Sequence, residues 1–440
     1  MSANGAQISG NCIGTDYSGD VSIANGGDGI DLIGNTSASL DDNTVSGNSA
    51  NGIDDESTGS VTIQGNNIGA NATGTLSLGN AANGILAGPD ANGTLTIGTA
   101  SSGNVISANG QCGIVLDAPN SASNPISIVG NQIGIGTMIE QNYPSIHFGI
   151  GNRLDGINQL SGSSAISQNI ISDNGTNGIN IVAGPSAISS NTIGGEIIST
   201  GSGSTVSYEL SGNEANGIRV LSGDIMEPVV SASGATSSAD IVDEGPSVRI
   251  GNQKIGQPPP APPSGTLIGG QTSDQGYNAS ENLIRGNGKD GILLVGDATA
   301  VVRGNSISGN AEDGVGYSGP APSDANVPVI TSVMPSSTGA TITFELAYTG
   351  AADNEVDFYY DEGSSTPGIY LGSIDVHPQP SGSVDSGINS FTFSASIPGF
   401  GQSVDTGVIW ATDTPRVQTA PDGSTYVRST SPFSSAYTIS

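Results

Sequence analysis

The sequence predicts an all-β chain: a right-handed, three-sided parallel β-helix of about ten coils over residues 1–318, then an antiparallel β-sandwich over 327–440. Three observations predict it. Short apolar patterns recur in a fixed order along the first three quarters of the chain. Glycine (67 residues) and proline (23) supply many turns, while only 11% of residues are charged. Beyond residue 340 the aromatics gather and the strands begin to alternate.

The first pattern is a strand ending in Asn, as in Ser60-Val-Thr-Ile-Gln-Gly-Asn66 or Ser186-Ala-Ile-Ser-Ser-Asn191. The second is Asn-x-Ile/Val, beginning at Asn11, Asn43, Asn66, Asn104, Asn131, Asn169, Asn191, Asn282 and Asn305. The third is Gly-Ile-x-aliphatic, beginning at Gly29, Gly84, Gly113, Gly178, Gly217 and Gly291, with a weaker copy at Gly52. Steps between successive Asn-x-Ile segments are 32, 23, 38, 27, 38 and 22 residues down to Asn191, and 23 from Asn282 to Asn305. A unit of about 22 residues is thus the minimum, and longer steps carry inserts.

Three strands of this length bury nothing alone, but stacked units form three parallel sheets around a common interior. Alternate residues point inward, so Val61, Ile63, Ile68 and Ile85 should line one coil. With a degenerate coil near Asn252 the count reaches about ten, a rod on the order of 50 Å at about 4.8 Å per coil.

The recurrent Asn reads as structural. Its amide tolerates a corner and bonds to the equivalent Asn one coil away. A second set, Asn48, Asn109, Asn174, Asn287 and Asn310, should stack in the same way. The Gly of the third pattern supplies either a positive φ or close packing at another corner. Residues 194–280 break the rhythm with a Ser/Gly-rich insert and the run Gln257-Pro-Pro-Pro-Ala-Pro-Pro263, read as long loops and a stiff spacer.

After a linker at 319–326, six of the seven Phe residues and the single Trp appear. Thr341-Ile-Thr-Phe-Glu-Leu-Ala-Tyr348 and Ser390-Phe-Thr-Phe-Ser-Ala-Ser-Ile397 alternate with period two, placing Ile342, Phe344, Leu346, Phe391 and Phe393 inward. Such a module would cover the last coil, whose open backbone groups otherwise invite pairing.

The stretches Gly10-Asn-Cys-Ile-Gly-Thr-Asp-Tyr-Ser-Gly19, Leu95-Thr-Ile-Gly-Thr-Ala-Ser-Ser-Gly-Asn-Val-Ile-Ser-Ala-Asn109, and Leu267-Ile-Gly-Gly-Gln with Asn282-Leu-Ile-Arg-Gly-Asn287 resemble the repeats of secreted bacterial right-handed parallel β-helix proteins of the pectate-lyase-like superfamily. The resemblance spans roughly residues 1–318, and the closing module, with Glu355-Val-Asp-Phe-Tyr-Tyr360 and Ser431-Pro-Phe-Ser, is similar to the sandwich that follows such helices. It implies a fold and an extracellular or cell-surface location. It does not imply one activity, because that superfamily holds lyases, hydrolases, tailspikes, adhesins and members without chemistry.

Forty acidic against nine basic side chains give a formal charge of −31. Phosphate backbones and anionic membranes are repelled, so nucleic acid and membrane insertion are excluded as partners. No run approaches the roughly 18 apolar residues of a membrane span. The first repeat is under way by Gln7, which reads as the start of a mature or excised piece. Cys12 and Cys112 should lie about three coils apart, on the order of 14 Å, beyond the reach of a disulfide. Both are expected as free thiols used in packing.

A lyase needs a base beside bound Ca²⁺. The only basic grouping is Arg285, Lys289 and Arg303 around Asp290, which reads as a surface ion-pair set or as a contact for an acidic sugar. A hydrolase needs converging carboxylates. Asp31 and Asp54 follow Gly-Ile in successive coils, with Asp55 and Glu56 adjoining. That patch is open to three readings: catalytic carboxylates, a Ca²⁺ site made by Asp31, Asp54 and Asp55, or exposed charge. Gly26-Gly-Asp-Gly-Ile-Asp-Leu-Ile-Gly34 fits one turn of a Ca²⁺-binding nonapeptide, but such a site is shared between tandem copies. His147 and His377 stand alone in different domains, so no triad or zinc site is indicated.

These readings lean against an enzyme and require no cofactor. They lead to an extracellular structural rod, adhesin- or matrix-like, with self-association through its first coil or polysaccharide as the partners. The alternative is a lyase or hydrolase acting on acidic polysaccharide along one face of the helix.

Overall fold

The structure is a computed structural model that describes residues 5–121, 124–136, 150–195, 197–199, 207–209, 211–221, 266–269, 282–296, 298, 300–319, 327–336, 339–347, 354–361, 369–376, 388–396, 407–415, 418–419, 425–426, 431, 435 and 437–439. The expected coil near Asn252, the proline run at 257–263, His147, His377 and most of the linker lie outside the described residues.

Each coil contributes one strand to each of three parallel sheets, and each sheet has nine strands. The first sheet runs from Ala6–Ser9 through Ala38–Asp41 and Val61–Gln64 to Ala300–Val302. The second runs from Cys12–Ile13 through Thr44–Val45 and Asn67–Ile68 to Ser306–Ser308. The third runs from Ile30–Gly34 through Ile53–Ser57 and Ile85–Ala87 to Val315–Ser318. Nine described coils make a stack of about 40 Å at about 4.8 Å each. The fold is the three-sided parallel β-helix that the repeat demands.

Register explains why the pattern holds. Leu40 pairs with Ile63, Ile63 with Ile97, and Ile97 with Ile128, all inward and buried. Like side chain thus stacks on like along the axis, and one continuous aliphatic core runs from Ile30 to Val315. Polar interruptions are satisfied from within: Gln159, fully buried, accepts from Ser164 and Ser186 and donates to Ala183 O.

Both asparagine sets stack as expected. Between the first and second sheets, each amide donates to the next from Asn11 through Asn43, Asn66, Asn104, Asn131, Asn169, Asn191 and Asn282 to Asn305, at 2.8–3.0 Å. The second ladder runs from Asn25 through Asn48, Asn80, Asn109, Asn152, Asn174, Asn213 and Asn287 to Asn310, over the same distances. The Gly of Gly-Ile resolves toward close packing. A Cβ on Gly84 would lie 2.6 Å from Gly113 O and 2.8 Å from Asn109 Nδ2, so any side chain would force the coils apart.

The inserts in the steps that begin at Asn11 and Asn66 are bridged turns between the second and third sheets, closed by Thr15↔Ser22 and Ala70↔Ser77. They stack on each other: Ala72 N donates to Gly19 O, and Asn71 Nδ2 to Asp20 Oδ1.

Beyond the last coil, a three-stranded sheet (Val329–Ser336, Gly339–Ala347, Ile388–Ser396) faces a four-stranded one (Ile369–Val376, Asn354–Asp361, Gly407–Pro415, Tyr437–Ile439), both antiparallel. Ile342, Phe344 and Leu346 are buried between them, while Phe391 and Phe393 are half-buried and stack on Phe344 and Phe358. The strand Asn354–Asp361 is buried on both faces: Val356, Phe358 and Tyr360 enter the sandwich core, while Asp357 and Tyr359 turn the other way. That outer face meets the helix, where Arg303 of the last coil donates to Asp357 through Nε and Nη2, each at 3.2 Å. Tyr370 adds a third bond, its hydroxyl donating to Asp357 at 3.1 Å.

No helix among the described residues is long and apolar enough to cross a membrane.

Candidate functional site: the acidic outer face of the third sheet

Strand parity fixes which carboxylates face out. In Ile53–Ser57 the order is inward Ile53, outward Asp54, inward Asp55, outward Glu56, inward Ser57. Ile30–Gly34 pairs with it so that Asp31 sits beside Asp54. Asp28, one residue before Gly29-Ile30, closes the group near the corner, and its Oδ1 accepts from Asn51 N at 2.8 Å.

The three residues proposed as metal ligands are therefore not brought together. Asp31 is exposed and Asp54 half-exposed on the outer face. Asp55 points into the helix, 2% exposed, in register with Leu32 and Ala87, and its carboxylate accepts from Ser57 N and Oγ. Alternation with period two puts neighbours on opposite faces, and a run of acids cannot escape it. Burial pushes the Asp55 carboxyl upward, with the Ser57 bonds opposing. Among the described residues, no group of three or more His, Cys, Asp or Glu side chains is placed to hold a metal ion.

Asp54 is the most perturbed group on this face. Burial first, then the charges of Asp28, Glu56, Asp31 and Asp55, push its carboxyl from 3.8 up to about 7. Its Oδ1 is shielded from solvent and has no hydrogen-bond partner among the described residues. The patch extends toward the next coils through Glu56, whose Oε2 accepts from Asp90 N at 2.8 Å. Burial raises the Glu56 carboxyl, and the nearby charges of Asp90, Asp55 and Asp117 add to that. Asp117 is raised by burial against a bond from Ser161 Oγ.

Further along the same face the outward positions change character. Leu86 lies beside Asp54, then Val115, Asn158, Asn180 and Arg219 follow in register. Asn158 and Asn180 are buried and bond to each other at 3.3 Å, and Asn180 Nδ2 also approaches Asp155 Oδ2 at 3.4 Å. Asp155 is itself buried, which raises its carboxyl, while Thr176, Asn177 and the charge of Arg219 lower it.

Asp155 belongs to a third ladder that reading for asparagine alone does not find. The residue before each Gly-Ile corner forms a rung: Asp28, Asn51, Asn83, Cys112, Asp155, Asn177, Asn216, Asp290 and Asp313. Side-chain oxygens accept from the backbone of the adjoining rung at Asn51, Asn83, Cys112, Asn177, Asn216, Asp290 and Asp313. The signal was present as an Asp, Asn or Cys before the Gly-Ile or Gly-Val that opens each strand of the third sheet, but its identity varies.

That ladder places the cysteines. Cys112 is a buried rung, and burial next to Asp155 holds its thiol well above the ordinary value. Cys12 is a free thiol too, but it is exposed in the first coil, so it does not pack the interior.

The basic grouping around Asp290 also comes apart. Arg303 is buried in the pair with Asp357, Arg285 Nη2 donates to Ser306 Oγ at 3.3 Å, and Asp290 is a ladder rung whose Oδ1 accepts from Asp313 N. The predicted surface ion-pair set is in part a buried lock between the two modules. No protein-family model matches the chain, and no curated protein matches it in sequence.

Proposed function

We propose that the chain is a rigid structural rod of an extracellular or cell-surface assembly, adhesin- or matrix-like. The observation that carries this reading is continuity. Two asparagine ladders and one aliphatic core run through the described coils, a third polar ladder joins most of their corners, and a buried ion pair locks the sandwich to the last coil. Each coil is held to its neighbours by the two asparagine ladders, so bending or opening any inner coil must break ladder bonds on each side. The acidic surface keeps such a rod soluble and repels anionic polymers. Secretion and likeness to the pectate-lyase-like superfamily are part of this proposal, supported by the repeat motifs. The test is limited proteolysis of the native chain with a broad-specificity protease, followed by mass mapping. Coil strands of residues 5–121 that stay uncut support the rod, and cuts within them overturn it.

One observation favours a second reading, hydrolysis or lysis of polysaccharide. A carboxyl held near 7 is matched to proton transfer at neutral pH, and Asp54, in register beside Asp31, is such a group. Incubation with a panel of uronic-acid and neutral polymers, reading reducing and unsaturated ends, decides it. Activity that disappears in Asp54→Asn establishes the enzyme, and no new ends with any polymer removes it.

A further inference from the structure

Ten Asn-Gly dipeptides occur in the chain, at Asn4, Asn25, Asn51, Asn83, Asn92, Asn109, Asn174, Asn177, Asn216 and Asn287, and all but Asn4 fall among the described residues. Asn-Gly is the dipeptide most open to intramolecular attack, because glycine has no side chain to obstruct its own amide nitrogen. In that reaction the glycine nitrogen bonds to the asparagine Cγ. The Cγ–Nδ2 bond breaks, ammonia leaves with the glycine N–H proton, and a five-membered succinimide remains. Water then opens the ring at either carbonyl to give aspartate or the backbone-lengthened isoaspartate.

The ladders disarm seven of these sites by holding the nucleophile. Gly52, Gly84, Gly110, Gly175, Gly178, Gly217 and Gly288 each donate their N–H to a carbonyl of the adjoining coil, at 2.8–3.0 Å. The asparagines before them are ladder rungs with engaged carboxamides: Asn109 Nδ2 donates to Asn152 Oδ1, Asn174 Nδ2 to Asn213 Oδ1, and Asn216 Nδ2 to Asn177 Oδ1. Attack would require rotating a buried amide out of its ladder and breaking an inter-coil bond together. Asn92-Gly93 differs in both respects. It lies in the connection between Ile85–Ala87 and Leu95–Ile97, Asn92 is exposed, and neither its carboxamide nor Gly93 N has a hydrogen-bond partner among the described residues. Asn25-Gly26 is intermediate: Gly26 N has no such partner and sits in open space, but Asn25 Nδ2 donates to Asn48 Oδ1 at 2.9 Å.

We infer that Asn92 is a self-modification site, where the chain converts its own exposed amide to aspartate and isoaspartate while the ladder amides stay intact. The product adds a carboxylate two residues from Asp90, whose backbone N–H caps Glu56, and so enlarges the acidic face. Isoaspartate also lengthens the backbone where Gly93 has no slack, since a Cβ there would lie 1.7 Å from Gly59 O.

The experiment is incubation of the full chain at neutral pH, with peptide mapping of aspartate and isoaspartate over time. Modification at Asn92 should outpace every ladder site by at least about tenfold, because each ~1.4 kcal/mol of local opening slows a reaction that needs it by that factor. Asn25 should fall between. In urea all the sites should converge on similar rates, which proves that the fold and not the flanking sequence sets the order. Asn92→Ser should abolish the Asn92 signal without changing the melting temperature, whereas Gly93→Ala is unusable for the clash just given. Equal rates across all sites in the folded chain, or an Asn92 that stays intact when folded but reacts in urea, overturns the inference.

Discussion

Replacing Asn104 with alanine tests the ladder within its buried interior. The Asn104 side chain makes four hydrogen bonds: Nδ2 donates to Ile63 O at 2.9 Å and to Asn131 Oδ1 at 2.8 Å, and Oδ1 accepts from Asn66 N and Asn66 Nδ2, both at 2.9 Å. At a net ~1 kcal/mol per bond the direct loss is about 4 kcal/mol. The Asn66 amide N–H and the Ile63 carbonyl are then left buried without partners, so a range of about 3–6 kcal/mol is expected. Asn104→Asp separates donation from acceptance. A carboxylate still accepts from Asn66 but sets its oxygens against Asn131 Oδ1 and Ile63 O, so it should be as damaging as alanine at neutral pH and milder once protonated. The assay is urea unfolding followed by far-ultraviolet circular dichroism, with amide exchange at Asn66 as the local probe and Asn92→Ala as the exposed control. A loss below about 1 kcal/mol for Asn104→Ala, or full stability for the aspartate variant at neutral pH, refutes the claim that the rungs hold the coils together.

The acid patch gives a pH prediction. Asp54 has a folded-state pKa of about 7 against an ordinary 3.8, so between those values the folded chain binds the extra proton. Stability from this group is therefore full at low pH, falls as pH rises through that window, and stays reduced above it. Asp54→Asn should raise the melting temperature at about pH 8 and leave it nearly unchanged at about pH 4, and parallel melting curves at both values would contradict the assignment. Divalent cations should stabilise only by screening, with Ca²⁺ no better than Mg²⁺, since Asp31 and Asp54 fall far short of the six to eight oxygens a calcium site takes. A melting shift specific to Ca²⁺ would count against this. Breaking the inter-module lock with Arg303→Ala should cost about 3–5 kcal/mol by stranding the buried Asp357 carboxylate, while Arg303→Met with Asp357→Leu should recover much of it; differential scanning calorimetry separates the two. Maleimide should label Cys12 in the native chain and reach Cys112 only after unfolding, as thiol mass tagging will read directly.

The fold was legible because its determinant is local and repeated. Leu40, Ile63, Ile97 and Ile128 occupy one register column, and each copy of the pattern corroborates the others. The same sequence misleads where a single rule is applied to a single residue type. Asp55 reads as part of an acidic run, but strand parity decides its side, and parity turns it inward beside Ser57. The third ladder escapes a search for asparagine because its rungs change among Asp, Asn and Cys while the backbone geometry stays constant. Arg303 reads as a surface base because its partner, Asp357, is 54 residues away in another module. Pairing across modules leaves no periodic trace.

At the acid patch the rod gives up stability without a visible structural return. Asp155 is likewise raised by burial, yet its carboxylate accepts hydrogen bonds from Thr176 and Asn177 that offset the desolvation in part. Asp54 has no such compensation: its Oδ1 is shielded and unpartnered among the described residues, and four neighbouring acids oppose its charge. Asparagine, which later coils place in register on this face at Asn158 and Asn180, would remove the repulsion. A rod selected only for rigidity gains from that exchange, whereas a face that transfers protons or binds a cationic polymer loses its working group. Measuring Asp54→Asn for stability and for polymer cleavage in the same preparation therefore separates the two readings: a stabilised variant with nothing lost favours the rod, and a stabilised variant that has lost activity assigns the patch a chemical role.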